Sequence, residues 1–228
     1  MATTPERLTY TATLERLDEI APETRSLTLR LPPVPRFTFK PGQFISCLLP
    51  VGGETIIRPY SLASDPEDSS RLEICLNLVP NGPGSHYLFD LSVGATVRFT
   101  GPWGTFCVDE PPDATCVFIA ADTGIAPIRP MLHRTLARTT QAVHLHYAAA
   151  DRAHLLYADE FEALAPRLVF APVLDESLIE HITRRYVTAD SDRSRHFYIC
   201  GVGDIVPQLR DLLRRSGYER RAVQYEKW

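Results

Sequence analysis

Thr115-Cys-Val-Phe-Ile-Ala-Ala-Asp-Thr-Gly-Ile-Ala-Pro127 is an apolar run that enters a tight turn at Gly124 and passes into a helix with proline near its start. It reads as one strand–turn–helix unit, and the same texture repeats downstream. Apolar runs at 115–120, 142–148, 168–173, 197–200 and 222–225 alternate with helical patterns at 127–136, 157–164, 176–184 and 204–216. Alternating strand and helix units predict a parallel sheet covered on both faces. The helix over 204–216 has the clearest pattern. Asp204 is placed to cap it, Leu209, Leu212 and Leu213 share a face, Arg214 and Arg215 suit its C-terminal dipole, and Gly217 ends it.

Upstream the pattern differs. Short segments at 8–17, 26–31, 43–49, 56–63, 72–78 and 96–100 show period-two alternation between turn residues, which predicts an antiparallel barrel or sandwich. Pro32-Pro33-Val-Pro35 and Lys40-Pro41-Gly42 are strand terminators. The change falls near 109–114, at Glu110-Pro111-Pro112, so two domains are expected, 1–110 and 111–228.

With 24 basic and 28 acidic side chains the net charge is -4, which offers no general attraction for nucleic acid or anionic lipid. No stretch approaches the roughly 18 to 20 apolar residues that span a bilayer, and the polar start at 1–7 lacks the apolar core of a secretion signal. A cytoplasmic monomer is expected. The five cysteines, Cys47, Cys75, Cys107, Cys116 and Cys200, are widely spaced, without the clustering that holds zinc or an iron–sulfur centre. Any one-electron relay beyond this chain must then lie in another protein.

The turn after 115–120 exposes backbone N–H groups and the positive end of a helix dipole, a good seat for a pyrophosphate. A glycine there is also what any parallel-sheet turn needs, so both readings stand. Asn81-Gly82-Pro83-Gly84-Ser85-His86-Tyr87-Leu88 sets a small-residue turn before a short helical patch. Its Gly84 and Ser85 amides could cradle a second diphosphate, or the segment is a plain loop. His144 and His146 share one strand face but have no third ligand nearby, so a metal reading is rejected in favour of satisfied polar groups. Arg184, Arg185, Arg193 and Arg195 read as a solvated basic loop able to dock an acidic partner.

The order of these motifs, from Phe39-Lys-Pro-Gly-Gln-Phe44 to Trp228, resembles the ferredoxin–NADP(+) reductase superfamily, which includes bacterial oxygenase reductases and flavin reductases. The resemblance implies an antiparallel six-stranded β-barrel that binds FAD, followed by a parallel five-stranded Rossmann-like domain that binds NAD(P). Arg58-Pro59-Tyr60-Ser61 matches the family's flavin segment: Arg58 would contact the diphosphate, Tyr60 pack on the isoalloxazine, and Ser61 hydrogen-bond near its N5. Each role suits its side chain, a fork of donors, a flat amphipathic ring and a small hydroxyl. Leu76-Asn77-Leu78 and Pro83-Gly84-Ser85 would hold the ribityl chain and pyrophosphate, while Gly101-Pro102-Trp103-Gly104-Thr105-Phe106 resembles a structural strand end.

In the second half the family's G-G-T-G-x-x-P corresponds to Ala121-Asp122-Thr123-Gly124-Ile125-Ala126-Pro127. Thr123, Gly124 and Pro127 match. Two glycines are replaced, and Asp122 would repel a phosphate unless it points away. By resemblance Cys200-Gly201 would lie beside the nicotinamide and Tyr157 against the adenine. Glu226 and Trp228 match the terminal acid and aromatic, Trp228 covering the flavin and moving aside as a gate. Asp175-Glu176 stands where NADPH users carry a Ser-Arg pair, which points to NADH. Ser61, Cys200, Glu226 and Trp228 are the residues expected to act on the transfer. The implied activity is hydride uptake from NAD(P)H and single-electron delivery to a separate iron–sulfur or oxygenase component. A flavin reductase and a non-catalytic nucleotide-binding subunit are the alternatives.

Overall fold

The computed structural model describes residues 8–108 and 110–228. The N-terminal stretch 1–7 and one residue of the expected 109–114 junction lie outside the described residues.

Period-two alternation produces the first sheet. Strands β1 (Thr9–Ala21), β2 (Thr24–Arg30), β3 (Phe44–Val51), β4 (Glu54–Ser61) and β5 (Arg71–Asn77) are followed by helix α1 (Pro83–Phe89) and β6 (Thr96–Trp103). On β3, Ile45, Cys47 and Leu49 point inward and are almost fully buried while their neighbours are not, as the pleat requires. The six strands pair antiparallel in the order β4-β3-β6-β1-β2-β5, and a bridge between Leu62 and Ile74 draws the two edges together into a barrel. Its core is built on Leu14, Leu27, Leu29, Phe37, Ile45 and Phe99.

Continuous apolar runs produce the second. Strand β7 (Cys116–Ala121) leads through a 3₁₀ turn (Asp122–Gly124) into α2 (Ile125–Arg138). Then come β8 (Val143–Ala148), α3 (Ala158–Ala163), β9 (Leu168–Val173), α4 (Leu178–Thr183), β10 (His196–Gly201), α5 (Ile205–Arg215) and β11 (Val223–Lys227). These five strands are parallel, in the order β11-β10-β7-β8-β9. The first five residues of β7 are completely buried because helices cover both faces. One face packs α4 and α5 on Val117, Ile119, Phe197 and Ile199. The other packs α2 and α3 and merges with barrel residues Ala21, Ala63, Cys75 and Phe106 in a single apolar cluster.

Two local expectations change, and the strand histidines find polar partners as expected. Asp204 occupies the N-cap position of α5 but gives it no side-chain bond; its carboxylate takes the Lys227 ammonium at 3.0 Å instead. The basic run is not an open loop. Arg184 and Arg185 begin a π-helical turn (Arg184–Thr188) that extends α4. Arg193 donates to the carbonyls of Asp190 and Ser216, and Arg195 pairs with Asp190. His146 is buried, with Nε2 2.7 Å from the Tyr186 hydroxyl and Nδ1 2.9 Å from His181 Nε2, and His181 in turn meets Glu176 at 2.7 Å. The π-turn is what aims Tyr186 at both strand histidines, its hydroxyl also lying 3.2 Å from His144 Nδ1.

Candidate functional site

A cleft of about 400 Å³ opens between the barrel and the parallel sheet. Its barrel wall begins with the end of β4. This is an edge strand, so Pro59 removes no ladder donor that a neighbour needs. Arg58 is exposed, and one of its nitrogens donates to the Ile57 carbonyl at 2.8 Å. Burial pushes the Tyr60 phenol far above its ordinary pKa, Cys47 adding to the shift and Arg58 opposing it, so the ring is a neutral amphipathic plate. Ser61 is only 8% exposed.

The end of β5 and the turn before α1 complete that wall. Leu76 and Asn77 line the cleft, and the Asn77 carbonyl oxygen accepts from the Thr24 hydroxyl at 2.9 Å, which fixes the amide. The Ser85 hydroxyl accepts from the Val79 N–H at 3.1 Å and donates to the Gly82 carbonyl at 2.9 Å, so it serves its own turn. The Gly84 and Ser85 N–H groups stand in the first helical turn, where no intrahelical acceptor exists. A Cβ on Gly84 would lie 2.9 Å from Arg58 Cγ and 3.4 Å from the Tyr60 hydroxyl. Glycine is what lets this turn close over the two residues.

Thr123, Ala126, Val202 and Trp228 form the opposite wall. The 3₁₀ turn reaches it because Gly124 has no side chain: a Cβ there would lie 2.4 Å from the Cys200 carbonyl oxygen. Asp122 holds φ +51, a left-handed conformation suited to glycine. Partial desolvation raises its carboxyl pKa, with His154 opposing.

Trp228 is tied by its N–H to the Gly201 carbonyl at 3.1 Å and meets Phe44 of the barrel edge-on, centroids 5.4 Å apart. Cys200 and Glu226 are neighbours in the β10–β11 register. Burial, with Glu226 adding, pushes the Cys200 thiol far up, so it is no thiolate. Burial alone raises Glu226 to about 7. Its Oε2 and the Trp228 Nε1 are both buried without a hydrogen-bond partner that meets the geometric limits.

The predicted residues separate into groups. Arg58, Pro59, Tyr60, Ser61, Leu76, Asn77, Pro83, Gly84, Ser85, Thr123 and Trp228 come together around one cleft, with Gly124, Cys200 and Gly201 packed directly behind its second wall. Leu78 lies beyond it, its N–H bonded to the Glu23 carbonyl. Pro127 is buried in α2. Asp175 is exposed at a different, smaller depression past the end of β9. One face of the Tyr157 ring is covered, with Arg129 4.2 Å over it, and its hydroxyl donates to Glu73. Val79, Val202 and Phe44 were not foreseen, since isolated apolar residues in loops or on a strand carry no periodic signal.

Comparison with known proteins follows the same division. Residues 11–107 match the family model described as an oxidoreductase FAD-binding domain, and residues 118–210 that of an oxidoreductase NAD-binding domain. Ferredoxin–NADP reductase B of Sorangium cellulosum is 32% identical, covering 96% of this chain and 97% of that protein. The reductase component of propane 2-monooxygenase from Rhodococcus jostii is 30% identical over 93% of this chain but 62% of its own length. Among solved structures, the Amycolatopsis cytochrome P450 reductase GcoB superposes with a TM-score of 0.86 at 28% identity, over 96% of this chain and 69% of that one.

Proposed function

Because the chain belongs to the ferredoxin–NADP reductase family of FAD- and NAD-binding oxidoreductases, we propose that it takes a hydride from NAD(P)H and passes electrons singly to a separate redox protein. The observation that carries this reading is the single cleft walled by Arg58-Pro59-Tyr60-Ser61 on one side and Thr123 and Trp228 on the other. FAD, when bound, accepts two electrons together and releases them one at a time.

The residues fit that group. The Gly84 and Ser85 amides offer first-turn donors to a diphosphate, Arg58 an exposed guanidinium at the rim, and Tyr60 a neutral flat surface. On this reading the barrel, residues 1–110, is the FAD domain and 111–228 the NAD(P) domain. Ser61 orients the flavin through its hydroxyl. Glu226, raised to about 7 by burial, is about half protonated at pH 7 and so can hold or release a proton in the strand register beside Cys200. Trp228 moves aside to admit the nucleotide; an indole swing gives up the Phe44 edge contact and its packing on the apolar cluster, while the two main-chain bonds of Trp228, to Gly201 and from Gly203, hold its backbone in place.

NADH is the preferred donor on this reading, since the exposed Asp175 carboxylate would accept from a free ribose hydroxyl and repel a 2′-phosphate. The chain would act as a cytoplasmic monomer. Among the described residues no helix is long and apolar enough to cross a membrane. Spectra of the purified protein test the proposal: it should be yellow and bleach under anaerobic NADH. A colourless protein that reduces added flavin would indicate a flavin reductase instead. A yellow protein bleached by neither nucleotide would indicate a non-catalytic subunit.

A further inference from the structure

One charged cluster joins the two halves, and three of the segments it joins, the chain after β4, β5 and α2, also carry cleft walls. Arg129 lies on α2 one turn beyond Ala126, on the same helix face. Its Nη1 donates to Glu73 Oε2 at 2.8 Å and to the Ala63 carbonyl at 3.0 Å, both on the barrel. Nε and Nη2 hold Glu160 of α3 through contacts of 2.7 to 3.0 Å. Tyr157 completes the set, donating its hydroxyl to Glu73 Oε1 at 2.8 Å beneath the guanidinium. Ala63 follows Ser61 by two residues. Glu73 precedes Cys75 by two on β5, which puts both on one face of the strand.

Cohesion is not what this cluster adds. Arg129, Glu73 and Glu160 are 21%, 16% and 29% exposed, and desolvation offsets most of the Coulomb attraction of such buried ions. The apolar cluster of Ala63, Cys75, Phe118, Ile125 and Tyr147 already holds the halves together. Apolar contact, however, tolerates sliding, whereas a planar guanidinium reaches three acceptors at once at one separation only. Against the burial that would neutralise it, His133 and Arg129 hold Glu160 at about 2, so the anchor stays ionised. Tyr157 keeps φ +59, a left-handed conformation a bulky residue holds only when its surroundings impose it.

We infer that Arg129 is a positioning residue: by gripping Glu73 and the Ala63 carbonyl while anchored on Glu160 and Tyr157, it sets the spacing between the Ser61 wall and the Thr123 wall. The inference deepens the proposed hydride transfer and rests on it for the kinetic consequence. Misplacement of reacting groups by about 1 Å costs on the order of a hundredfold in rate.

The test uses the full-length flavin-loaded protein and the variants Arg129→Gln, Arg129→Lys, Glu73→Gln and Glu73→Gln with Arg129→Gln. Anaerobic stopped-flow should show flavin content and nucleotide KM unchanged, with reduction at saturating NADH slowed about 10- to 100-fold in Arg129→Gln. The double variant should be no slower than Arg129→Gln, because both changes remove one grip. Arg129→Lys, which keeps the charge but not the fork, should recover part of the rate.

Fluorine NMR of protein carrying fluorotryptophan gives a readout apart from activity. The chain has two tryptophans, and in Arg129→Gln the resonance of Trp228, which bridges the two halves by its edge contact with Phe44, should move while that of Trp103, within the barrel, stays. Reduction at the wild-type rate with an unmoved Trp228 resonance would overturn the inference, as would additive slowing in the double variant. Wild-type protein reduced by neither nucleotide would sink the hydride-transfer reading, and the Trp228 resonance would then still decide whether Arg129 sets the spacing.

Discussion

Asp122 holds a strained backbone and, on the proposed reading, a carboxylate near the nucleotide phosphates, two penalties that substitutions can separate. Its φ of +51 lies where a side chain costs roughly 1 kcal/mol relative to glycine, less for Asp and Asn than for Ala. Its carboxylate also heads the 3₁₀ turn whose next residue, Thr123, lines the cleft. A unit charge about 6 Å from a nucleotide phosphate, at the intermediate dielectric of a half-exposed crevice, contributes repulsion of about 1 kcal/mol, or roughly fivefold in affinity. Asp122→Asn removes the charge and keeps a residue tolerant of the left-handed region. Asp122→Gly removes charge and strain, and Asp122→Ala removes the charge while worsening the strain.

Nucleotide KM at low salt should therefore fall about fivefold in both Asp122→Asn and Asp122→Gly, and the gain should shrink in 0.5 M salt as screening sets in, a concentration chosen to bring the Debye length down to roughly 4 Å. Urea unfolding should rank stability Gly above Asn and Asp, with Ala lowest and a span of about 1 to 2 kcal/mol. If Asp122→Asn binds nucleotide no more tightly than wild type at low salt, the carboxylate does not face the phosphates. If Asp122→Gly is no more stable, the strain argument fails.

The buried His146 should make stability pH-dependent. Burial first, then His181, Arg185 and His144, lower it to about 3 from an unfolded 6.5, so the unfolded chain binds the extra proton between those values. Its contribution is complete above pH 6.5 and is lost toward pH 3, at about 1.4 kcal/mol per unit. Urea midpoints for His146→Gln should flatten this slope, and an unchanged slope would exonerate His146. Gly124→Ala should cost about 1 to 3 kcal/mol, because its Cβ would press on the Cys200 backbone, and melting temperature reads the loss directly. Trp228→Ala removes an edge-on aromatic contact worth about 1 kcal/mol, so nucleotide KM should drop several-fold in steady-state assays if the indole blocks access. A KM unchanged or raised would mean it does not.

Local chemistry wrote much of this molecule into its sequence. Alternation along 43–49 and the unbroken run at 115–120 specify a half-wet strand and a doubly covered one because side-chain period and burial are properties of a few adjacent residues. Arg58-Pro59-Tyr60-Ser61 and the glycine turns were legible for the same reason. They carry their geometry within four to seven residues, and the folded chain brings Arg58 to Ser61, Gly82 to Ser85 and Thr123 around one cleft.

Long-range contacts decided the rest. Arg129 finds partners 31, 56 and 66 residues away, which no periodicity encodes. Tyr157 could be matched to a motif, yet its ring lies under Arg129 because β5 and α2 converge on it. Asp204 had the right type and place for a cap and was drawn off by Lys227 of β11. Asp122 looked like a departure from a glycine motif. Only the folded chain shows it adopting the glycine conformation, because Gly124 must pack against the Cys200 carbonyl and the turn before it has one way to arrive. Sequence determines which short segments can form. Which side chains across two sheets then meet is set by packing, where the separation between partners is spatial and invisible along the chain.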